Sequence, residues 1–218
     1  MNFASNFLII NFKKEAKMQG KFIVFEGIDG CGKGTQLKLA ASFIFDLSKD
    51  YDVYITREPT RDFKEIRERM AAGTDVKQDA EWYANAFVQD RKNHASKYIQ
   101  PALNNGTQVL SDRYKYSTLI YQSTQGMDFA KLTEMHAGLP VPDLIIIFDC
   151  SAKIAFQRRK ADGATDVFDK DLEFQEKLRQ NYLNLKEKFP EENIIIIDAT
   201  KATAEVFNEV KQHIKQIL

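Results

Sequence analysis

The stretch that decides the fold is Gly27–Thr35, which reads GIDGCGKGT. It follows the apolar run Phe22–Phe25 and opens onto a pattern typical of a helix. Glycines at this spacing let the backbone curl so that successive N–H groups point to one spot before a helix N-terminus, where they bind phosphate. The alternative is a glycine-rich turn with a solvated lysine. The strand before it and the helix after it favour a phosphate-binding loop.

The composition argues against several classes of partner. The 218 residues contain 31 Lys plus Arg and 31 Asp plus Glu, so no overall charge attracts nucleic acid or a membrane surface. Cys31 and Cys150 stand in no metal-ligand spacing, which is typical of a reducing compartment. No run reaches the ~18 apolar residues that span a bilayer. We therefore expect a cytoplasmic protein without nucleic-acid or membrane partners.

The length suits one domain. Residues 1–17 are interpreted as an N-terminal extension of uncertain role, because the apolar run Phe7–Ile10 is too short to cross a membrane and lysines follow it instead of preceding it. Residues 18–218 are interpreted as a single domain with a lid at about 158–169.

Strands and helices are expected to alternate along the chain. Five apolar runs have the length of strands: Lys21–Glu26, Asp52–Thr56, Thr107–Ser111, Asp143–Cys150 and Asn193–Ala199. The last two lack polar alternation, which predicts burial on both faces and hence a parallel sheet. Helix-like segments separate the runs and follow the last one: Lys33–Ser48, Phe63–Ala72, Asp79–Leu103, Ser117–Gln122, Phe129–Ala137, Ala152–Lys160, Leu172–Lys188 and Thr203–Leu218.

This order predicts an α/β fold, a three-layer α/β/α sandwich around a five-stranded parallel sheet. In the first helix an apolar stripe for packing on the sheet is formed by Leu37, Ala40, Ala41, Ile44 and Leu47. Ligands bind beyond the carboxyl ends of such strands, so functional residues are expected just after each strand.

Charged residues follow the second and third strands. Arg57 is placed to pair with a phosphate, although an ordinary surface arginine fits the same position. Asp112 could hold a metal's water shell or orient an attacking oxygen, and Arg113 could clamp a second phosphate. Alternatively, the two could form a structural ion pair. Phe87 and Arg91 share one helix face, which suits a stacked base and its carbonyl, or a core phenylalanine with a rim arginine.

A basic cluster, Arg158-Arg159-Lys160, precedes the expected lid. One interpretation is a helix end whose positive charge complements the helix dipole. The other is a closing lid that brings cations to a transferring phosphoryl group. Which of the three residues supplies the cation is left open. His94, His136 and His213 show no metal-ligand spacing and are interpreted as solvated or core histidines.

Together these motifs make the chain resemble the thymidylate (dTMP) kinase family of P-loop nucleoside monophosphate kinases, from Met18 to about Tyr182. The resemblance depends on FEGIDGxGK at 25–33, TREPT at 56–60, FxxxRxxH at 87–94, PAL at 101–103 and DRYxxSxxxYQ at 112–122. Five motifs in this order and spacing are far more specific than any one of them.

The resemblance implies transfer of the γ-phosphoryl group of ATP to dTMP, with Mg²⁺ bridging the phosphates, in a homodimer. It implies ATP binding by Gly27, Asp29, Gly30, Cys31, Gly32, Lys33, Gly34 and Thr35, and a metal near Thr35 and Asp112. It implies dTMP binding by Asp29, Arg57, Phe87, Arg91, Arg113, Thr118, Tyr121, Gln122 and Tyr182. The groups acting at the reacting phosphates would be Lys33, Asp112, Arg113, Arg158 and Arg159.

The chain departs from the family pattern in four places, one of which is the end of the lid, DVFD at 166–169, where many members place Arg after the aspartate and Glu last. Gly34 replaces a usual metal-side hydroxyl, so metal contact would run through water or Thr35. Pro59 leads directly to Thr60, where many members have two glycines first. Gly30 offers no arginine in the phosphate loop, so the catalytic cation is expected from the lid. Gly34 alone favours an adenylate or broader deoxynucleotide kinase, and a non-catalytic nucleotide sensor is the alternative from another class.

Overall fold

The computed structural model of the chain describes residues 19–72, 79–163 and 172–218. The extension expected at 1–17 and the lid residues from 164 to 169 lie outside them. Five parallel strands form one sheet in the order β2-β3-β1-β4-β5. Their bounds are β1 Phe22–Glu26, β2 Val53–Arg57, β3 Gln108–Asp112, β4 Leu144–Asp149 and β5 Ile194–Asp198. The predicted five-stranded parallel sheet is therefore confirmed.

The helices follow the predicted segments, with two subdivisions. Residues 79–103 become two α-helices joined by a π-helical turn at Ala95–Ile99, and 172–188 divide at Asn184. The helices are α1 Lys33–Leu47, α2 Lys64–Ala71, α3 Ala80–His94, α4 Gln100–Asn104, α5 Lys115–Thr124, α6 Phe129–Met135, α7 Ala152–Ala161, α8 Leu172–Leu183, α9 Leu185–Lys188 and α10 Thr203–Ile217. Among them, none is both long enough and apolar enough to cross a membrane.

The helices cover both faces of the sheet. α1 and α10 pack on each other and together touch all five strands. A second group includes α4, α8 and α9, which reach β3, β4 and β5 respectively, and α5, which packs on α3 and α8. Every residue of β1 and β3 is buried. Because alternate residues of a strand point to opposite faces, this burial requires a helix layer on each side.

Two details of the predicted core are wrong. β5 is not buried on both faces, since Ile196 is 39% exposed. β5 pairs with β4 alone and forms one edge of the sheet, where helices cover the strand less completely. Leu47, predicted as part of the α1 stripe, is 43% exposed because it ends the helix beyond the sheet contact. The other four stripe residues are buried as predicted.

The register of the central strands gathers the predicted site. Phe25 of β1 pairs with Asp112 of β3, which in turn pairs with Arg57 of β2. The residues that follow β1, β2 and β3 therefore emerge side by side at one edge of the sheet. This edge is the carboxyl end of the strands, where parallel α/β sheets bind ligands.

Candidate active site

The phosphate loop connects β1 to α1. Lys33 begins α1, is buried, and donates from Nζ to the carbonyl oxygens of Gly27 and Ile28, both at 2.9 Å. Its Nζ also lies 3.9 Å from Oδ1 of Asp29. The ammonium is thus held over the loop at the positive end of a helix, as a site for negatively charged oxygens requires.

Two glycines allow this loop to lie close to its neighbours. Gly27 and Gly30 have φ values of 136° and 87°, which side chains rarely adopt. A Cβ on Gly30 would lie 2.3 Å from the carbonyl oxygen of Ala155 in α7, and one on Gly27 would lie 2.7 Å from that of Phe148 in β4. Position 30 therefore has no room for an arginine, in keeping with the expectation that a cation must come from elsewhere.

A large cleft of about 790 Å³ opens above this loop. It is lined by loop residues 29–35 and, from other elements, by Arg57, Asp112, Arg113, Arg158, Arg159, Ala199 and Thr203. Gly27 lies behind it, as an acceptor for Lys33. Arg158 donates to the carbonyl oxygen of Ala199 at 2.9 Å, and Arg159 lies 3.8 Å from Asp29. Lys160 is exposed and does not line this cleft.

A smaller cavity of about 140 Å³ adjoins the cleft. Most of the residues predicted to bind the acceptor line it: Asp29, Phe87, Arg91, Arg113, Thr118, Tyr121 and Gln122. Arg57 lines the large cleft instead, and Tyr182 lies behind Arg113, 3.3 Å from its Nη1. Because Asp29, Glu58 and Arg113 line both cavities, the two are neighbours.

Arg113 and Asp29 form an ion pair where the two cavities meet. Arg113 has φ 75°, which lies in the left-handed region of backbone conformation. Among the described residues it is the one non-glycine residue with a positive φ. Its N–H donates to the carbonyl of Phe25 at 3.0 Å, and Ser111 Oγ donates to its carbonyl at 2.6 Å. Burial raises the pKa of Asp29, but the charges of Arg113, Lys33 and Arg159 outweigh it and hold this pKa well below its usual value.

Glu26 supports this corner from within the core, a role that the sequence interpretation missed. Its side chain is fully buried and accepts from Tyr114 N at 2.8 Å, Ser117 Oγ at 2.8 Å and Tyr182 Oη at 3.1 Å. Burial raises the pKa of Glu26, with Arg113 and the hydrogen bonds opposing that rise. Ser117 also accepts from Arg113 at 2.7 Å, so Glu26 fixes the group that holds the guanidinium.

Asp112 and Arg57 face each other across the strand ends. Arg57 Nε donates to Oδ2 of Asp112 at 2.9 Å, while Oδ1 of Asp112 is buried without a hydrogen-bond partner among the described residues. A buried carboxylate oxygen without a partner is costly unless a ligand satisfies it. An oxygen-preferring cation such as Mg²⁺ fits this donor, since Mg²⁺ is commonly held by one or two carboxylates together with substrate phosphates.

A second set of residues surrounds Arg91 and was also missed. Glu58 accepts from Arg91 Nε at 2.5 Å and lies 2.9 Å from Nδ1 of His94, whose Nε2 lies 2.8 Å from Thr56 Oγ1. Glu58 and His94 belong to the motifs TREPT and FxxxRxxH, so their place in these motifs was a sequence signal for a role at the site. His136, which lies 2.7 Å from Arg91 Nη1, stands in no motif, and only the tertiary fold brings it here.

The parallel sheet, the glycine-rich loop on a helix N-terminus and the adjoining cavity define a P-loop kinase. The family model for thymidylate kinase matches residues 25–210, and the chain belongs to the thymidylate kinase family. It is 40% identical over 208 residues to a probable thymidylate kinase of Pyrococcus horikoshii, covering 92% of this chain and 98% of that protein.

Two further relatives extend the comparison. A probable thymidylate kinase of Thermococcus gammatolerans is 37% identical over 207 residues, which are 90% of this chain and 97% of the relative. A protein of the same name from Methanococcus maripaludis is 40% identical over 198 residues, 87% of this chain and 92% of the relative. The similarity therefore spans nearly the whole of each protein.

Proposed function

We propose that this protein phosphorylates dTMP to dTDP, with ATP as donor and Mg²⁺ as the metal. Membership of the thymidylate kinase family supports the reaction. The observation that carries the acceptor assignment is the cavity beside the phosphate loop, which combines an aromatic ring, Phe87, with a buried guanidinium, Arg91. A cavity that offers an aromatic ring and a buried guanidinium suits a base that stacks and presents a carbonyl.

In this reaction an oxygen of the dTMP 5′-phosphate forms a bond to the γ-phosphorus of ATP. The bond from that phosphorus to the β–γ bridging oxygen breaks, and ADP leaves with the electron pair. Lys33 and the loop N–H groups bind donor phosphate oxygens, Arg113 and Arg57 bind the acceptor phosphate, and Arg158 or Arg159 stabilises charge on the transferred group.

Mg²⁺ would supply positive charge that balances the negative charge on the phosphate oxygens during the transfer. Asp112 would hold it through Oδ1, the buried oxygen without a described partner. The hydroxyl of Thr35, one position after Gly34, would be the second protein contact to the metal, since Thr35 lines the large cleft above the phosphate loop. Arg57 would leave Asp112 when it binds the acceptor phosphate, and it has room to do so because its side chain is 68% exposed.

A coupled assay that compares dTMP, dUMP, AMP and CMP as acceptors tests the proposal. We expect the highest kcat/KM with dTMP and dependence on added Mg²⁺. Turnover of AMP well above dTMP would identify an adenylate-type kinase, the reading favoured by Gly34 alone. Nucleotide binding without phosphoryl transfer would identify a sensor. The proposal also includes a homodimer, as the family resemblance implies, and a cytoplasmic location, as the spacing of the two cysteines indicates. Sedimentation of the purified chain measures the oligomeric state.

A further inference from the structure

Arg91 is a buried guanidinium whose hydrogen bonds divide unequally among its nitrogens. Its side chain is 3% exposed. Nε donates to Glu58 at 2.5 Å, and Nη1 lies 3.1 Å from Thr118 Oγ1 and 2.7 Å from His136 Nε2. Nη2 has no hydrogen-bond partner among the residues that the structure describes. Arg91 lines the smaller cavity of about 140 Å³, which is called the acceptor cavity from here on. The two N–H groups of Nη2 are therefore the ones left for a ligand there.

The chemistry of His136 makes it an acceptor for Arg91. Its Nδ1 lies 2.7 Å from the carbonyl oxygen of Leu132, one turn earlier on α6. A carbonyl can only accept, so Nδ1 carries the proton and Nε2 presents a lone pair. An arginine can only donate, so Arg91 Nη1 donates to the lone pair of His136 Nε2. Burial and then the Arg91 charge lower the pKa of His136 to about 3, so the ring is neutral at ordinary pH.

Three contacts from separate parts of the fold therefore fix the guanidinium. Glu58 follows β2, Thr118 belongs to α5, and His136 directly follows α6. Both hydrogens of Nη1 are used only when Thr118 and His136 are present together. Without the His136 lone pair, a buried N–H of Nη1 would lack a partner, a penalty relieved when the guanidinium turns that N–H toward the cavity.

We propose that His136 is a positioning residue that directs Nη2 of Arg91 into the acceptor cavity and thereby sets the preference for a base with a carbonyl at that edge. The inference rests on the proposed function, in which Arg91 binds the thymine carbonyl. A guanidinium held in one orientation donates to a carbonyl of the base. It disfavours an amino group at the same place, because the guanidinium and the amino group would both be donors. dTMP and dCMP differ at this edge and make the comparison direct.

The test compares His136→Leu with His136→Gln. Leucine fills the space without an acceptor, whereas the glutamine Oε1 reaches the place of Nε2. Steady-state rates with dTMP and dCMP, the KM for ATP and the Tm are measured for each. We expect His136→Leu to raise the KM for dTMP on the order of 10-fold and to reduce the dTMP-to-dCMP ratio of kcat/KM similarly, the scale of one hydrogen bond to a charged group. The KM for ATP should stay within about two-fold.

His136→Gln should recover most of the dTMP preference. His213→Leu, which removes the histidine of α10, is the matched control and should leave all values unchanged. A folded His136→Leu with an unchanged dTMP-to-dCMP ratio would overturn the inference, because a purely structural role lowers Tm without altering base preference. If leucine prevents folding, His136→Asn replaces it. Asparagine can serve Leu132 but is too short for Arg91, so an unaltered ratio there would also overturn the inference.

The wild-type chain separates this inference from the proposed function. If it phosphorylates dTMP but the variants keep its preference, only the role of His136 fails. If it binds dTMP without phosphorylating it, the proposed function fails, and the ratio of Kd values for dTMP and dCMP, measured by calorimetry, still tests His136. Binding of neither nucleotide would reject both.

Discussion

Arg57 donates through Nε to the carboxylate of Asp112 at 2.9 Å, across the adjacent carboxyl ends of β2 and β3. The two residues were expected to serve different ligands, the acceptor phosphate and the metal. The two partners differ in exposure, since the arginine side chain is 68% exposed whereas that of Asp112 is 12% exposed, so water can replace the carboxylate around Arg57 far more easily than it can replace the guanidinium around Asp112. Arg57 can therefore leave the pair for a ligand at little cost, whereas Asp112 needs a cation or another donor in its place.

This relationship leads to a prediction for Arg57→Ala. We expect the KM for dTMP to rise ~10-fold or more, as on losing a charge-assisted contact to phosphate, with little change in Tm. Initial-rate kinetics and thermal unfolding measure the two effects. Arg61→Ala, four positions along the chain, is the control. A large fall in Tm together with an unaltered KM would instead make the pair a structural bridge.

Lys33→Ala should slow turnover at least ~100-fold, the scale of losing one positioned electrostatic group in an active site. The ammonium is held over the loop by two carbonyl oxygens, each at 2.9 Å, so contacts within the protein fix its position. The kcat of purified protein measures the effect, and Lys49→Ala at an exposed position controls for loss of a charge. A near-wild-type kcat would show that Lys33 does not act at the reacting phosphates.

Phe87→Ala should weaken dTMP binding with a smaller effect on kcat. Its ring is part of the acceptor cavity and lies 5.9 Å from that of Tyr83, so both rings form one wall. Stacking of a base on an aromatic ring contributes ~1–3 kcal/mol, or roughly 5- to 150-fold in affinity. Calorimetry with dTMP gives the change, against Phe45→Ala on the surface of α1. An unchanged affinity would move the base site elsewhere.

Gly34→Ser should increase the apparent affinity for Mg²⁺. Gly34 does not require glycine, because an added Cβ would lie 3.9 Å from Arg57 Nη2, an ordinary contact. Gly34→Ala is the matched control: both variants gain up to ~1 kcal/mol of helix propensity, but only serine adds a hydroxyl. Rates are measured against Mg²⁺ concentration. Identical Mg²⁺ dependence in the two variants would show that the hydroxyl at this position is irrelevant.

His136 should make the fold sensitive to acid. Its pKa falls from an ordinary 6.5 to about 3 in the folded chain, so between these values the unfolded chain binds one proton more. Stability therefore decreases as the pH falls through this window, by at most ~1.4 kcal/mol per pH unit. Denaturant unfolding at several pH values should show a shallower decrease for His136→Gln. Parallel curves for the two proteins would contradict the prediction.

The sequence by itself determined the fold and the glycine-rich loop that leads into α1. Apolar runs of strand length separated by helical patterns specify a parallel sheet, because strands without polar alternation require cover on both faces. The loop at Gly27–Thr35 carries its geometry locally, through the φ values that glycine permits. Even so, the sequence did not show that β5 is an edge strand, since the order of strands depends on long-range pairing.

Only the tertiary structure decided how the charged residues pair. Asp112 and Arg113 are neighbours in sequence, yet they bond to Arg57 and Asp29 respectively, because the left-handed turn at Arg113 sends the two side chains to different sides. His136 contacts Arg91 from the residue after α6, and no local sequence pattern predicts this contact. Spacing along a chain predicts which residues share a helix face or a strand end. It cannot predict which buried donor meets which acceptor, since that pairing depends on how separate elements pack.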